Sequence, residues 1–312
     1  MDDKELDKDN HLPDLAFERA VSLRSITVPS TLRSIGYASF QDTYSLREVN
    51  LNEGLVEIDT WAFASWNVES SLEKINIPST VRSFQGTTFA SCYKLKDFTF
   101  HPDNPYYTFD GIAVYTKDYG QIVHVLPSYA GVLSLSDACR TVQWSSLRSG
   151  KLKGFVGKNV IEIGGHAFAD LWSADYLAFG SKLKRVGIGP FSYARLKRLY
   201  LGCHDIPGGE YVDAVDGVYS DYWDAYKKVT LYVPRDAVDK FRKHRVWGMA
   251  KEVLPIEDTE FAYLADSELD AVGEVKTSST AMPHSIYSPT GVKLNRPIKG
   301  LNIVDGKKVM VK

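Results

Sequence analysis

By residue type, Cys203-His204-Asp205 holds a nucleophile, a base and an orienting carboxylate. A catalytic triad is a meeting of three side chains in space, which three consecutive residues do not readily achieve. The tripeptide therefore reads as a strand running into a loop. Asp213, Asp216, Asp221 and Asp224 crowd the segment that follows. A calcium loop needs alternate acids, a glycine and a distal glutamate at fixed spacing, and that spacing is missing. These acids read as solvated loop carboxylates. The cysteines are Cys92, Cys139 and Cys203, an odd number at wide spacing, which argues against both a disulfide framework and a zinc site. The histidines show no H-x-x-x-H or H-E-x-x-H pattern, and neither a phosphate loop nor a G-x-S-x-G elbow occurs. No metal, no cofactor and no enzymatic activity are assigned.

What remains is the chemistry of recognition. Tyrosine, tryptophan and arginine give large contact areas with few rotors and dominate binding hot spots. Tyr176, Arg198, Tyr200 and Tyr232 fall at the outward positions of successive β patterns, and Tyr44, Tyr93 and Trp172 each lie four residues after a phenylalanine. These seven are the candidate binding surface. Tyrosine also suits a half-exposed strand, and aromatic rings also pack between neighbouring coils, so each position has a purely structural reading beside the functional one.

The elements that must position these residues are set by a repeat. Leu23, Leu46, Leu72 and Leu95 are equivalent, as are Ile26, Val49, Ile75 and Phe98, and Phe17, Phe40, Phe63 and Phe89. The steps are 23, 26 and 23 residues in the first two series and 23, 23 and 26 in the phenylalanine series. A period in the twenties is the signature of a solenoid. Within one unit Ile26 and Val28 alternate with Ser25 and Thr27 as a half-buried strand. Pro29 has no N–H to donate and ends it. Leu32 and Ile35 form a second inward pair, Gly36 permits a turn, and Phe40 fills the space between coils. One unit cannot bury these residues alone, but stacked units share a core. The outward ladder positions are Ser25 and Thr27, Glu48 and Asn50, Lys74 and Asn76, Asp97 and Thr99. They then become Tyr176 and Ala178, Arg198 and Tyr200, and Tyr232. The face changes from mixed polar to Tyr- and Arg-rich toward the C-terminal half.

Along the chain, residues 1–16 read as a mobile acidic arm. Residues 17–255 read as the repeat array, about eight coils with insertions at 103–131 and 204–229. The first insertion has a hairpin pattern, Ile112 to Thr116 and Gln121 to Leu126. Arg235 to Trp247 reads as an amphipathic helix capping the open end of the array. Residues 256–285 read as a linker, and 286–312 as a small β unit with a hairpin turn at Asp305-Gly306. Formal net charge is −2, which gives no reason to expect nucleic acid or an acidic membrane surface as partner. No apolar run is long enough for a membrane span, and no secretory leader is visible near Met1.

The unit L-x-x-I-x-[IV]-P-x-x-[LV]-x-x-I-x-x-x-x-F resembles the BspA-type leucine-rich repeat of bacterial surface and secreted proteins. Leu23-Arg24-Ser25-Ile26-Thr27-Val28-Pro29 and Leu72-Glu73-Lys74-Ile75-Asn76-Ile77-Pro78 fit it closely, and Phe89-Ala90-Ser91-Cys92 resembles its F-x-x-C step. Asp110-Gly111-Ile112 looks like the family's common insertion. Leu231-Tyr232-Val233-Pro234, with the helix to Trp247, looks like its terminal cap. The resemblance covers about residues 17–255. The last segment resembles, in shorter form, a tail shared by secreted proteins of Gram-negative anaerobes. The resemblance implies a leucine-rich-repeat solenoid, a right-handed superhelix rich in short strands. It also implies a location outside the cell or on its outer surface, and a non-enzymatic role binding a protein or glycan, host or matrix ligands included. The alternative is a spacer that carries the C-terminal unit and has no ligand of its own.

Overall fold

The computed structural model describes residues 10–66, 69–148, 150–209 and 226–265, and four strands between residues 286 and 311. The chain divides into two units, Met1–Ala265 and Asp266–Lys312.

In the first unit the repeated letters stack as coils of a solenoid. Ser25–Val28, Glu48–Leu51, Lys74–Ile77 and Asp97–Phe100 form a parallel sheet. Ile26 pairs with Val49, Val49 with Ile75, and Ile75 with Phe98, the series that the spacing predicts. A six-stranded parallel sheet carries the ladder of the later coils: Val132–Ser134, Gly154–Gly157, Tyr176–Phe179, Arg198–Leu201, Thr230–Val233 and Glu252–Pro255. Four and six ladder strands exceed the eight coils predicted. On the other side of the coils run two-residue strands, among them Ser34–Ile35, Glu57–Ile58, Glu162–Ile163 and Arg185–Val186.

The coil phenylalanine sits in a third ladder. Phe17, Phe40, Phe63 and Phe89 stack with ring centroids 5.1, 5.2 and 5.7 Å apart and planes within 4° of parallel. The coil repeat of about 4.8 Å forces this offset stacking. The backbone around each ring turns sharply. Leu15 and Arg19 flank Phe17, Ala38 and Asp42 flank Phe40, and His166 and Asp170 flank Phe168, all at positive φ two residues before or after the ring. Each left-handed residue with a side chain costs about 1–2 kcal/mol. The gain is that alternate N–H groups point at the next coil. Phe17, Phe40, Phe63 and Phe168 donate to Ser39, Ala62, Thr88 and Pro190 carbonyls at 2.7–3.0 Å.

The insertion at 103–131 forms three antiparallel strands, Tyr107–Phe109, Ala113–Thr116 and Gln121–Val125. Its faces are both buried. Val114, Val123 and Leu126 belong to the core of the first block, whereas Ala113, Tyr115, Ile122 and Val125 belong to the core of the second. The hairpin is an internal wall.

At the N-terminal side, residues 10–16, read from sequence as part of a mobile arm, belong to the array, and residues 1–9 lie outside the described residues. His11–Leu12 already pairs with Ser34–Ile35, and Asp14 Oδ1 accepts the Tyr37 N–H at 2.9 Å. At the other side, Arg235–Ala237 and the helix Val238–Lys243 bury Ala237, Val238 and Phe241. The helix lies within the last coil, between the strands Thr230–Val233 and Glu252–Pro255. The strand Glu252–Pro255 adds beyond it to Thr230–Val233, and Arg242 Nη2 donates to the Val253 carbonyl at 2.8 Å. Residues 256–265, read from sequence as linker, fold back onto the array through the turns Ile256–Asp258 and Ala262–Leu264. Residues 266–285 and Asp305-Gly306 lie outside the described residues. In the second unit Ile286–Tyr287, Lys293–Leu294, Gly300–Val304 and Lys307–Val311 form an antiparallel sheet with Val304 opposite Lys307.

Candidate functional site

The outward ladder of the first block is open and polar. Glu48 accepts from Lys74 Nζ at 2.9 Å, which holds the carboxyl below and the ammonium above their ordinary pKa values. Both are exposed, so the pair contributes little to stability. Asn76 does more. Its amide accepts the Leu51 N–H at 2.9 Å and donates to the Leu51 carbonyl at 2.6 Å, continuing the sheet with a side chain.

The second block differs from the sequence reading. Tyr200 is only 1% exposed and Ala178 is fully buried, so neither is an outward contact residue. The cover is Ile256–Ala265. The Phe261 ring centroid lies 4.5 Å from that of Tyr200 and 5.0 Å from that of Tyr176, and Tyr200 stacks on Tyr232 at 4.7 Å. Two glycines make room. A Cβ on Gly202 would stand 1.9 Å from the Leu264 carbonyl oxygen, and one on Gly154 would meet the Tyr176 ring at 2.6 Å. Burial raises the hydroxyl pKa of both Tyr176 and Tyr200. Polar contacts hold the strap along its length. Glu257 accepts the Arg235 N–H at 2.9 Å, Asp258 pairs with the Arg235 guanidinium at 2.6 Å, and Glu260 stands 3.5 Å from Arg198.

His204 closes the strap. Nδ1 lies 2.9 Å from Asp236 Oδ1, and Nε2 lies 3.2 Å from the Ala265 carbonyl. Partial burial pulls its pKa down, but the Asp236 carboxylate and the Ala265 carbonyl more than offset this, and the net shift is upward. The neighbours in sequence go elsewhere. Asp205 pairs with Lys240 at 2.7 Å, and Cys203 is buried with its thiol pushed up to about 12. An activated cysteine needs the opposite shift. The acids from Asp213 to Asp224 lie outside the described residues.

Beside the covered ladder, where the last coils turn into their strands, is an open groove of about 1130 Å³. Its cations are Arg195, Lys197, Arg198, Lys227, Lys228 and Lys251, drawn from successive coils, and its rings are Trp172, Tyr193 and Tyr232. No acidic side chain lines it among the described residues. Asp175, outside the lining, pairs with Lys197 at 2.7 Å, and Glu260 stands 3.5 Å from Arg198. Trp172 is 59% and Tyr193 61% exposed. The Arg195 guanidinium lies 5.9 Å from the Trp172 ring, and the Arg198 guanidinium lies 5.7 Å from that of Tyr176.

The groove thus gathers three of the seven sequence candidates, Trp172, Arg198 and Tyr232, with Tyr176 behind Arg198. Tyr44 and Tyr93 lie on the first block and are half-buried. Lys151 covers the Tyr93 ring at 4.5 Å. Sequence reasoning misses Tyr193, Arg195, Lys197, Lys227, Lys228 and Lys251. Arg195 was within reach, since it lies four residues after Phe191 in the same column as Tyr44, Tyr93 and Trp172.

This architecture defines a leucine-rich-repeat solenoid of the bacterial kind. Residues 10–115, about a third of the chain, match the BspA type leucine rich repeat region in six copies. No curated protein matches the chain. Among solved structures, it is similar to a leucine rich cell surface protein from Faecalibacterium prausnitzii A2-165 (18% identity, TM-score 0.57). The match covers 81% of this chain and 65% of that one, just under two thirds of its length. A leucine-rich repeat protein from Eubacterium ventriosum gives 17% identity and a TM-score of 0.54 over 79% of this chain and 70% of that one. The pneumococcal vaccine antigen PcpA gives 18% and 0.53 over 76% and 68%. At these identities the likeness is one of fold. No helix among the described residues is long and apolar enough to cross a membrane.

Proposed function

We propose that this protein is a non-enzymatic interaction module, on the cell surface or outside the cell, which binds a protein or glycan through the groove on its last coils. One observation carries the reading: six cations and two largely exposed rings converge there with no acidic lining residue among those described. Leaving such rings in water has no packing benefit, and large exposed apolar surface rimmed by charge commonly marks a contact site. The description of one structural relative as a cell surface protein and of another as a vaccine antigen supports the location. The test is capture of ligands from surface and matrix preparations by the whole protein and by a Trp172→Ala, Lys251→Glu variant. A ligand held by the parent and released by the variant is the expected result. Equal capture by both would remove the groove from consideration.

The covered ladder favours a second reading. Where the strap lies, the sheet face of the later coils is already occupied by the chain itself. A spacer needs no free sheet. In that case removing residues 266–312 abolishes the biological effect, while groove substitutions leave it intact.

A further inference from the structure

We infer that the groove takes an acidic polysaccharide, a linear glycan carrying carboxylate or sulfate groups along its length. This rests on the groove being the recognition surface and names its ligand class. The cations sit on successive coils: Arg195 and Lys197 before one ladder strand with Arg198 at its start, Lys227 and Lys228 before the next, Lys251 before the last. Neighbouring ladder strands are about 4.8 Å apart, so the rows span about 10 Å across the coils. That is the scale of a short run of sugar rings with charges on more than one of them, and is too long for a single small anion.

The composition separates a glycan from a protein partner. Protein interfaces have an apolar core and are poor in lysine. Here lysine supplies four of the six cations, and the aliphatic lining residues Ala194 and Leu196 are each only 5% exposed. The exposed apolar surface is aromatic instead. Trp172 and Tyr193 stand on adjacent coils, and flat rings stack on the C–H faces of pyranoses while lysines meet the acidic substituents. Tyr193 is held at φ 57°, at the position two residues after the coil phenylalanine where Asp170 and Asp42 stand in other coils. The fold needs a left-handed residue there but does not need an aromatic one. The whole chain carries a net charge of −2, and Lys197 and Arg198 stand against Asp175 and Glu260, so the positive character available to a ligand rests on Arg195, Lys228 and Lys251.

The experiment is calorimetry of the full chain with heparin, polygalacturonate, neutral dextran and an acidic protein panel. Three variants accompany it: Lys228→Glu with Lys251→Glu, Trp172→Ala, and Tyr193→Ala. All four positions are exposed, and circular dichroism checks that each variant is folded. The expected result is binding to an acidic glycan, none to dextran, and a loss of about tenfold or more in the charge reversal and in at least one ring variant. Affinity should fall steeply with salt. Binding that responds to the lysines but to neither ring is ion exchange and overturns the assignment. Binding of an acidic protein through the same residues, with no glycan bound, overturns the glycan and leaves the groove as the site. Glycan binding unchanged in every variant overturns both.

Discussion

Protonating His124 is costly. Its Nδ1 lies 3.1 Å from the Gly86 carbonyl, its Nε2 is buried without a partner, and the rings of Phe84, Phe89 and Phe98 surround it. Desolvation lowers its pKa to about 4, with the Gly86 carbonyl opposing. The unfolded chain takes up the proton near the ordinary value of 6.5, whereas the folded protein refuses it until about 4. Stability is therefore full above pH 6.5 and falls as pH drops toward 4, by on the order of 3 kcal/mol. Urea melts at pH 7 and pH 4 should show this loss, and His124→Phe should reduce it. Parallel profiles for the two proteins would assign the acid sensitivity elsewhere. At this scale the sequence is legible where a residue's partner recurs at the same offset, as with Ile26 and Val49. Tyr200 shares that regularity, yet its cover comes from Phe261, sixty-one positions away and outside the repeat. No periodicity announces such a contact.

The strap is the element whose behaviour is most open to test. Phe261 is its anchor, and Phe→Ala truncation of a buried ring costs about 3–5 kcal/mol. Because the strap crosses the outside of a finished sheet, the loss should be local. Hydrogen exchange of Thr259–Ala265 should accelerate strongly in Phe261→Ala, while the amides around Phe40 keep their protection. A uniform rise in exchange would mean that the strap folds as one with the array. His204 adds a pH dependence of opposite sign to that of His124. Its folded pKa is raised, so its contribution is fully present below about 6.5 and is lost as pH rises through the raised value. Protection of the strap, corrected for intrinsic exchange, should decline over that window, and His204→Gln should flatten the decline. The strap escaped sequence reading for a physical reason. In Ile256–Ala265 three apolar anchors, Ile256, Phe261 and Leu264, are separated by acids that pair with Arg235 and Arg198, and the segment has no helical or strand period. Glu252–Pro255 was equally hidden, since only Val253 among its four residues is buried.

Over the whole molecule, stability in a solenoid is a sum of coils and their neighbour contacts. Phe63 and Phe168 belong to separate core clusters. Phe63→Ala should weaken protection mainly before residue 103, and Phe168→Ala mainly after residue 131, each by about 3–5 kcal/mol at its own site. Equal loss in both halves from either substitution would contradict this partition. The fold itself was legible from its period, because each phenylalanine and each ladder leucine repeats the same packing problem. The groove was not. Its lysines come from coils whose length differs because of insertions, so Lys197, Lys228 and Lys251 share no common spacing.

The hairpin at Ala113–Val125 turns this partition into modularity. Neighbouring residues in it look in opposite directions, Val114 toward one core and Tyr115 toward the other. Each half therefore meets a finished surface and not an unfinished coil of the other. A coil gained or lost in one half leaves the opposite face of the wall unchanged. The array can vary its length and its groove at one end while the other end keeps its architecture.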